Sequence, residues 1–297
     1  MRDVCLLASD RRARLEIAIA VTTEVGRAAQ RAHGFGTTSA IGLGRLLTAT
    51  GLLALTSKRP GTTSVQILAK GRVGQLYADA TENGEVRGYS RKPKLMYPLI
   101  AKDQRLERAS IGAMVMPGTV SVVRSNAKGE YVQSASPLTS GEIDRDVESF
   151  IAQSEQIPTV VACETLLDGE GDVFVAGGVL VRAMPDSDLE ALYDLRDRLV
   201  DGALAKLLVS SEDIATLFAA VAPGAELVEP ETKIVWKCRC SFERVLGAFE
   251  LLGPEDLADM ASKNEPTGVD CDFCGQHYEV TSAQVMEIFK SKIQAHG

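Results

Sequence analysis

Hydrophobic positions alternate between residues 14 and 22, where Leu15, Ile17, Ile19 and Val21 share one side; this period of two predicts a strand. A helical pattern over residues 24–33 stops at Gly34, and a longer one covers 38–57. The longer helix holds Gly42, Gly44 and Gly51, each costing about 1 kcal/mol relative to alanine. Glycines there point to another element packed close by, and Leu47 stands where a dinucleotide fingerprint needs a third glycine. Short alternating runs over 63–70, 73–79 and 85–90 are parted by Gly71 and by Asn83-Gly84, a strong hairpin signal. Runs over 119–125 and 131–135 flank Lys128-Gly129, and runs over 159–166 and 173–182 flank residues 168–171. Between these hairpins, residues 143–153 read as a helix that stops before Pro158. Antiparallel hairpins with a few helices give an α+β class, an N-terminal core of antiparallel or mixed sheets with packed helices.

Ala183-Met184-Pro185 marks a boundary, after which the period changes to 3.6. Ser187-x-x-Glu190 reads as a capping box. Leu189, Leu192, Tyr193, Leu199, Val200, Ala203, Leu204, Leu207 and Leu208 are expected on one helical face. A second helix is expected over 212–220, with Ser211 as its cap and Pro223-Gly224 as its end. The predicted division is therefore a core at 1–183, a helical linker at 184–232 and a small domain at 233–297.

Charge changes the picture of the linker. Residues 186–232 hold 11 acidic and 3 basic side chains, a net charge equal to the −8 of the whole chain. The linker's apolar face either packs permanently on the core or packs conditionally, because crowded carboxylates weaken a compact state.

The small domain carries four of the six cysteines, as Cys238-x-Cys240 and Cys271-x-x-Cys274. Two such knuckles can surround one Zn²⁺ tetrahedrally through four thiolates. About 65 residues make a marginal core, so a metal staple is expected to matter. Ser241 is expected to cap a helix through Leu252 that Gly253-Pro254 ends, which puts Cys240 at a helix N-terminus. Thr281 or Ser282 is expected to cap a final helix carrying Val285, Met286, Ile288, Phe289 and Ile293. His277 is a substitute ligand that four thiolates make unnecessary, and His33 and His296 have no partner motif. Cys5 and Cys163 lie in apolar runs and are expected as buried hydrophobes.

Several function classes lose ground. Residues 233–297 hold 10 acidic and 7 basic side chains, and four thiolates on one Zn²⁺ add about two negative charges. That argues against a zinc ribbon bound to nucleic acid, the main alternative, with purely structural zinc and a translation-associated role. The apolar run at 41–55 is short for a membrane span and carries Arg45. No P-loop, nucleophile elbow or H-E-x-x-H occurs, so no enzyme is expected. A thiol-disulfide oxidoreductase using Cys271-x-x-Cys274 would need a thioredoxin-like βαβ setting that the pattern lacks. Met1-Arg2-Asp3 opens no signal-peptide pattern, and cytoplasmic placement is the default expectation.

Thiolates are also the groups that peroxide and hypochlorite attack. Each knuckle is spaced to close its own disulfide and expel the metal, and a C-x-C ring is strained and easily reduced. The site therefore reads either as plain structural zinc or as a reversible switch.

Cys238-Arg239-Cys240-Ser241 with Glu243-Arg244, Cys271-Asp272-Phe273-Cys274-Gly275 with Tyr278, the run from Gln153 to Thr159, Ala176-Gly177-Gly178, and Asp79 through Gly84 to Tyr89 together resemble the redox-regulated 33 kDa heat shock protein family. The resemblance covers essentially the whole chain. It implies an ATP-independent bacterial chaperone, inactive while reduced with one Zn²⁺ per chain on Cys238, Cys240, Cys271 and Cys274. It further implies disulfides Cys238–Cys240 and Cys271–Cys274 on oxidation, with the latter pair as sensor, loss of zinc, and unfolding of the small domain and linker. The active form is then expected to be a homodimer that binds unfolding client proteins in the cytoplasm, with no nucleic acid or membrane partner.

Overall fold

The computed structural model describes residues 1–96 and 107–296. The chain divides into two compact units, Met1–Lys237 and Cys238–Gly297.

The first unit opens with β1 (Val4–Asp10) and β2 (Leu15–Val21), then α1 (Thr23–His33) and α2 (Thr37–Leu55). A meander follows, β3 (Thr62–Ala69), β4 (Gln75–Thr81) and β5 (Glu85–Ser90), and then the short α3 (Gly112–Val115). β6 (Gly118–Ser125), β7 (Tyr131–Pro137), α4 (Ile143–Ser154), β8 (Thr159–Leu167) and β9 (Val173–Ala183) complete the mixed α+β part. The acidic segment supplies α5 (Leu189–Asp197), α6 (Ala203–Ser210) and α7 (Ile214–Val221). Three two-residue strands close the unit: β10 (Glu226–Leu227), β11 (Thr232–Lys233) and β12 (Val235–Trp236).

Two sheets result. One runs β10-β1-β2-β9-β8, with β11 also on β1; the other runs β12-β5-β4-β3-β6-β7. Their pairings are antiparallel except for β12 on β5. Helix α2 packs against β4 and β5 of one sheet and β8 and β9 of the other. This explains why its apolar residues wrap the whole helix: it is buried on all sides, as a core helix rather than a surface one. Gly44 is required by the close approach of β8, because a Cβ there would lie 2.4 Å from Thr165 Oγ1.

The same helix buries Arg45 completely. Its guanidinium donates to Glu142 at 2.9 Å and Glu164 at 3.2 Å. Arg108 joins from beside them, 2.7 Å from Glu164 and 2.9 Å from Asp144. A charge buried in a core must be paired in this way.

The strand alternation sorts the first sheet into two faces. Ala18, Ala20, Val161 and Cys163 face the α2 core. Ile17, Ile19, Val160, Val179 and Val181 face Leu192, Leu195, Leu199, Leu204 and Leu208 of the acidic segment. The segment's helices differ from expectation in three places. Asp188, not Ser187, caps α5, its carboxylate accepting from the amides of Glu190 and Ala191; a carboxylate at a helix N-terminus gains from the dipole as well. Asp213, not Ser211, caps α7 through the Thr216 amide. The single apolar face is broken at residues 198–202, where Asp201 and Gly202 take positive φ. Within α5, Leu192 and Leu195 form the buried side, and Leu189 and Tyr193 lie exposed at 42% and 54% instead of sharing it.

The second unit contains α8 (Phe242–Phe249), α9 (Pro254–Ser262), β13 (Thr267–Asp270), β14 (His277–Val280) and α10 (Ser282–His296). Ser241 caps α8 by accepting from the Arg244 amide at 3.3 Å. That helix ends at Phe249, short of Leu252, and Pro254 starts α9 rather than merely ending α8. The fixed φ of proline suits a first helical turn. Thr281 and Gln284 form a reciprocal capping box at the start of α10.

Candidate metal centre

Cys238 and Cys240 lie in the chain leading into α8, and Cys271 and Cys274 lie in the turn between β13 and β14. The hairpin brings the second pair back on itself: the Cys271 amide donates to Gln276 O at 3.0 Å, and the Gly275 amide to Cys271 O at 2.8 Å. Gly275 needs its φ of 71° to close that turn.

All four Sγ atoms lie within 4.8 Å of one another. Cys238 Sγ is 3.6 Å from Cys271 Sγ, and Cys240 Sγ is 3.5 Å from Cys274 Sγ. A tetrahedral four-thiolate site with metal–sulfur bonds of about 2.3 Å has edges of about 3.8 Å. The cluster thus fits a metal ion of that kind, two ligands from each knuckle. Among the described residues, this is the group of potential ligands that comes together.

The surroundings treat the four thiols unequally. Burial opposes ionisation of Cys240, but hydrogen bonds from Tyr278 Oη, at 3.1 Å, and from the neighbouring thiols outweigh it and bring it down to about 7. Burial pushes Cys271 and Cys274 above the ordinary thiol value. A divalent cation favours the thiolate form of all four.

His277 stands apart from the sulfurs, with Nδ1 2.7 Å from Asp270 Oδ1. Cys5 and Cys163 are buried on β1 and β8. Burial pushes Cys5 up to about 12, and Cys163 is raised by burial and by the nearby carboxylates of Asp144 and Glu164. Both are poor nucleophiles. The sequence reading gave Tyr278 no role, since only folding of the β14 hairpin brings it to Cys240, 38 residues away.

Comparison with known families matches residues 3–281 to the family described as Hsp33 protein. This chain belongs to the Hsp33 family. The 33 kDa chaperonin of Syntrophotalea carbinolica is 32% identical over 293 residues, covering 96% of this chain and 98% of that one. A 33 kDa chaperonin of Thermus thermophilus is 33% identical over 290 residues, 92% of this chain and 83% of that one. The crystal structure of a 33 kDa chaperonin from Thermotoga maritima matches the fold with a TM-score of 0.85 at 23% identity, over 99% of this chain and 100% of that one. Hsp33 proteins are redox-regulated chaperones, not enzymes.

Proposed function

We propose that this chain is an ATP-independent holdase, held inactive by a zinc–thiolate clasp and activated when the clasp is oxidised. The observation that carries the reading is the gathering of four thiols in a unit whose buried apolar core, among the described residues, is Phe249, Leu257, Ala261, Val280 and Val285. Cys238, Cys240, Cys271 and Cys274 would hold the ion as thiolates. When bound, the metal ties the two knuckles together and contributes folding free energy on the order of 10 kcal/mol.

Oxidation removes the ligands. Each pair of thiolates gives two electrons to a peroxide, which takes up two protons from solvent and leaves as two waters, and one S–S bond forms per knuckle. The pairs are Cys238 with Cys240 and Cys271 with Cys274, with the latter as sensor. Disulfide sulfur carries no thiolate charge, so the chain no longer grips a cation. Five buried apolar residues do not keep so small a unit folded, and it melts.

The acidic segment then leaves the sheet. Its 11 carboxylates repel one another, against the docking of its apolar face, the ion pairs Arg145–Asp201 and Arg196–Glu148, and the pairing of β10 and β11 with β1. Undocking bares Ile17, Ile19, Val179 and Val181 on the sheet together with the leucines that covered them. This surface takes up unfolding proteins without nucleotide, in a homodimer, in the cytoplasm.

Peroxide titration followed by metal release and circular dichroism tests the coupling. Two disulfides, one Zn²⁺ released per chain and a loss of helix are expected together. Oxidised protein that keeps its metal and its helix rules the scheme out.

A further inference from the structure

A cavity of about 920 Å³ lies in the first unit between the end of α2, the turn after α4, strands β6, β7 and β9, and the start of the acidic segment. The thiol cluster contributes nothing to it. Glu155, Gln156, Ile157 and Pro158, from the connection between α4 and β8, form part of its lining.

Four cations face it, Lys58, Arg59, Arg124 and Arg182, against three carboxylates. Two of those carboxylates are already engaged. Glu155 pairs with Arg124 at 2.5 Å and reaches Arg182 at 3.7 Å, and Asp186 lies 4.0 Å from Arg14. The third, Glu16, acts on Arg182 only at a distance. Arg182 is 8% exposed; its Nη1 donates to Thr56 O at 3.1 Å, while its Nε is buried without a hydrogen-bond partner. Lys58 and Arg59 are exposed at the rim and have no ion pair among the described residues. The apolar part of the wall is Val132, Ile157, Met184 and Leu189, with Ser57, Gln156 and Ser187 beside them. Two wall residues, Gln156 and Asp186, hold positive φ of 56° and 58°, a strain that tends to gather at binding sites.

We propose that this cavity binds a small organic anion, a carboxylate or phosphate monoester carried on an apolar body. Lys58, Arg59 and Arg182 receive the anionic group, and Ile157, Met184 and Leu189 receive the body. Guanidinium forks suit both headgroups, and the volume falls in the range of small-molecule pockets, about 300–1,000 Å³. It is far larger than a bare inorganic ion needs.

One wall belongs to residues 184–189, where the acidic segment begins. A ligand that needs both walls favours the docked segment by linkage. That consequence rests on the function proposed above; the binding itself does not.

Calorimetric titration of the reduced, zinc-loaded full chain with phenyl phosphate and with phenylacetate tests the site, with inorganic phosphate for comparison. At least one aromatic anion is expected to bind once per chain, and the arm that binds identifies the headgroup. The double variant K58E/R59E, at two exposed positions that leave the fold intact, is expected to weaken that binding about tenfold or more. No binding of either aromatic anion at millimolar concentration, binding untouched by K58E/R59E, or inorganic phosphate binding as tightly as phenyl phosphate would each overturn the proposal. Slower tryptic cleavage at Arg196 and Arg198 with ligand present supports the linkage; binding without that protection keeps the site and removes its link to the acidic segment.

Discussion

Tyr278 donates its hydroxyl hydrogen to Cys240 Sγ across 3.1 Å, from a strand to the mouth of a helix. Such a bond steadies a thiolate and orients it, and outer partners of metal ligands commonly matter for affinity by about tenfold or more. Y278F is expected to weaken zinc binding by about that factor while leaving the second unit folded. Chelator competition on reduced protein measures it, and an unchanged affinity would remove Tyr278 from the account.

Replacing any one of the four clustered cysteines, for example C271S, is expected to abolish stoichiometric zinc and to lower the helix content of the second unit. C5A and C163A should leave zinc at one per chain, because both thiols are buried far up the pKa scale. Metal analysis of the three purified variants decides this. Full zinc in C271S would mean that the ligand set is wrong.

Sulfur proximity alone does not choose the disulfides. The short contacts run between knuckles, Cys238 to Cys271 and Cys240 to Cys274. The scheme nevertheless expects Cys238–Cys240 and Cys271–Cys274 after peroxide. Peptide mapping of the oxidised chain separates the two patterns, and predominant cross-knuckle bridges would contradict it.

Arg45 sits fully buried between Glu142 and Glu164. Removing one partner of a buried ion pair strands the other charge, at a cost of about 3–5 kcal/mol. R45M is therefore expected to lower the urea midpoint of the first unit by an amount equivalent to that. A loss below about 1 kcal/mol would show that Arg108 alone suffices for the three carboxylates.

Asp3 gives a pH dependence of definite sign. Burial pushes its carboxyl up to about 6, against hydrogen bonds from the Glu24 and Val25 amides. Folding therefore favours the protonated form, so this group's stabilising contribution is complete below its ordinary value of 3.8 and is lost as pH rises through about 6. Relative to D3N, the native chain should lose up to about 3 kcal/mol of stability between pH 4 and pH 7. Urea unfolding of both proteins across that range tests it, and a constant difference would show an unshifted carboxyl.

Much of this arrangement is legible in the residues themselves. Alternation at Leu15, Ile17, Ile19 and Val21 gives β2, Asn83-Gly84 gives the β4–β5 hairpin, and the cysteine spacing gives the cluster. What stayed hidden depends on distance along the chain. Arg45 reads as a flaw in an apolar helix until residues 97 and 119 positions away arrive to pair it. Ser187 and Asp188 are both good caps, and only the backbone path decides between them. The break at 198–202 carries leucines in helical register on both sides, so periodicity runs through it unnoticed. Tyr278 met Cys240 through a two-stranded sheet too short to announce itself.

The central claim is that the sulfur clasp controls access to the sheet face covered by the acidic segment. Light scattering from a heat-unfolded test protein, with the chain added either reduced and zinc-loaded or peroxide-oxidised and zinc-free, tests it most directly. Suppression of aggregation by the oxidised form alone, reversed by reductant and zinc, is the predicted result. Equal suppression by both forms, or by neither, would contradict it.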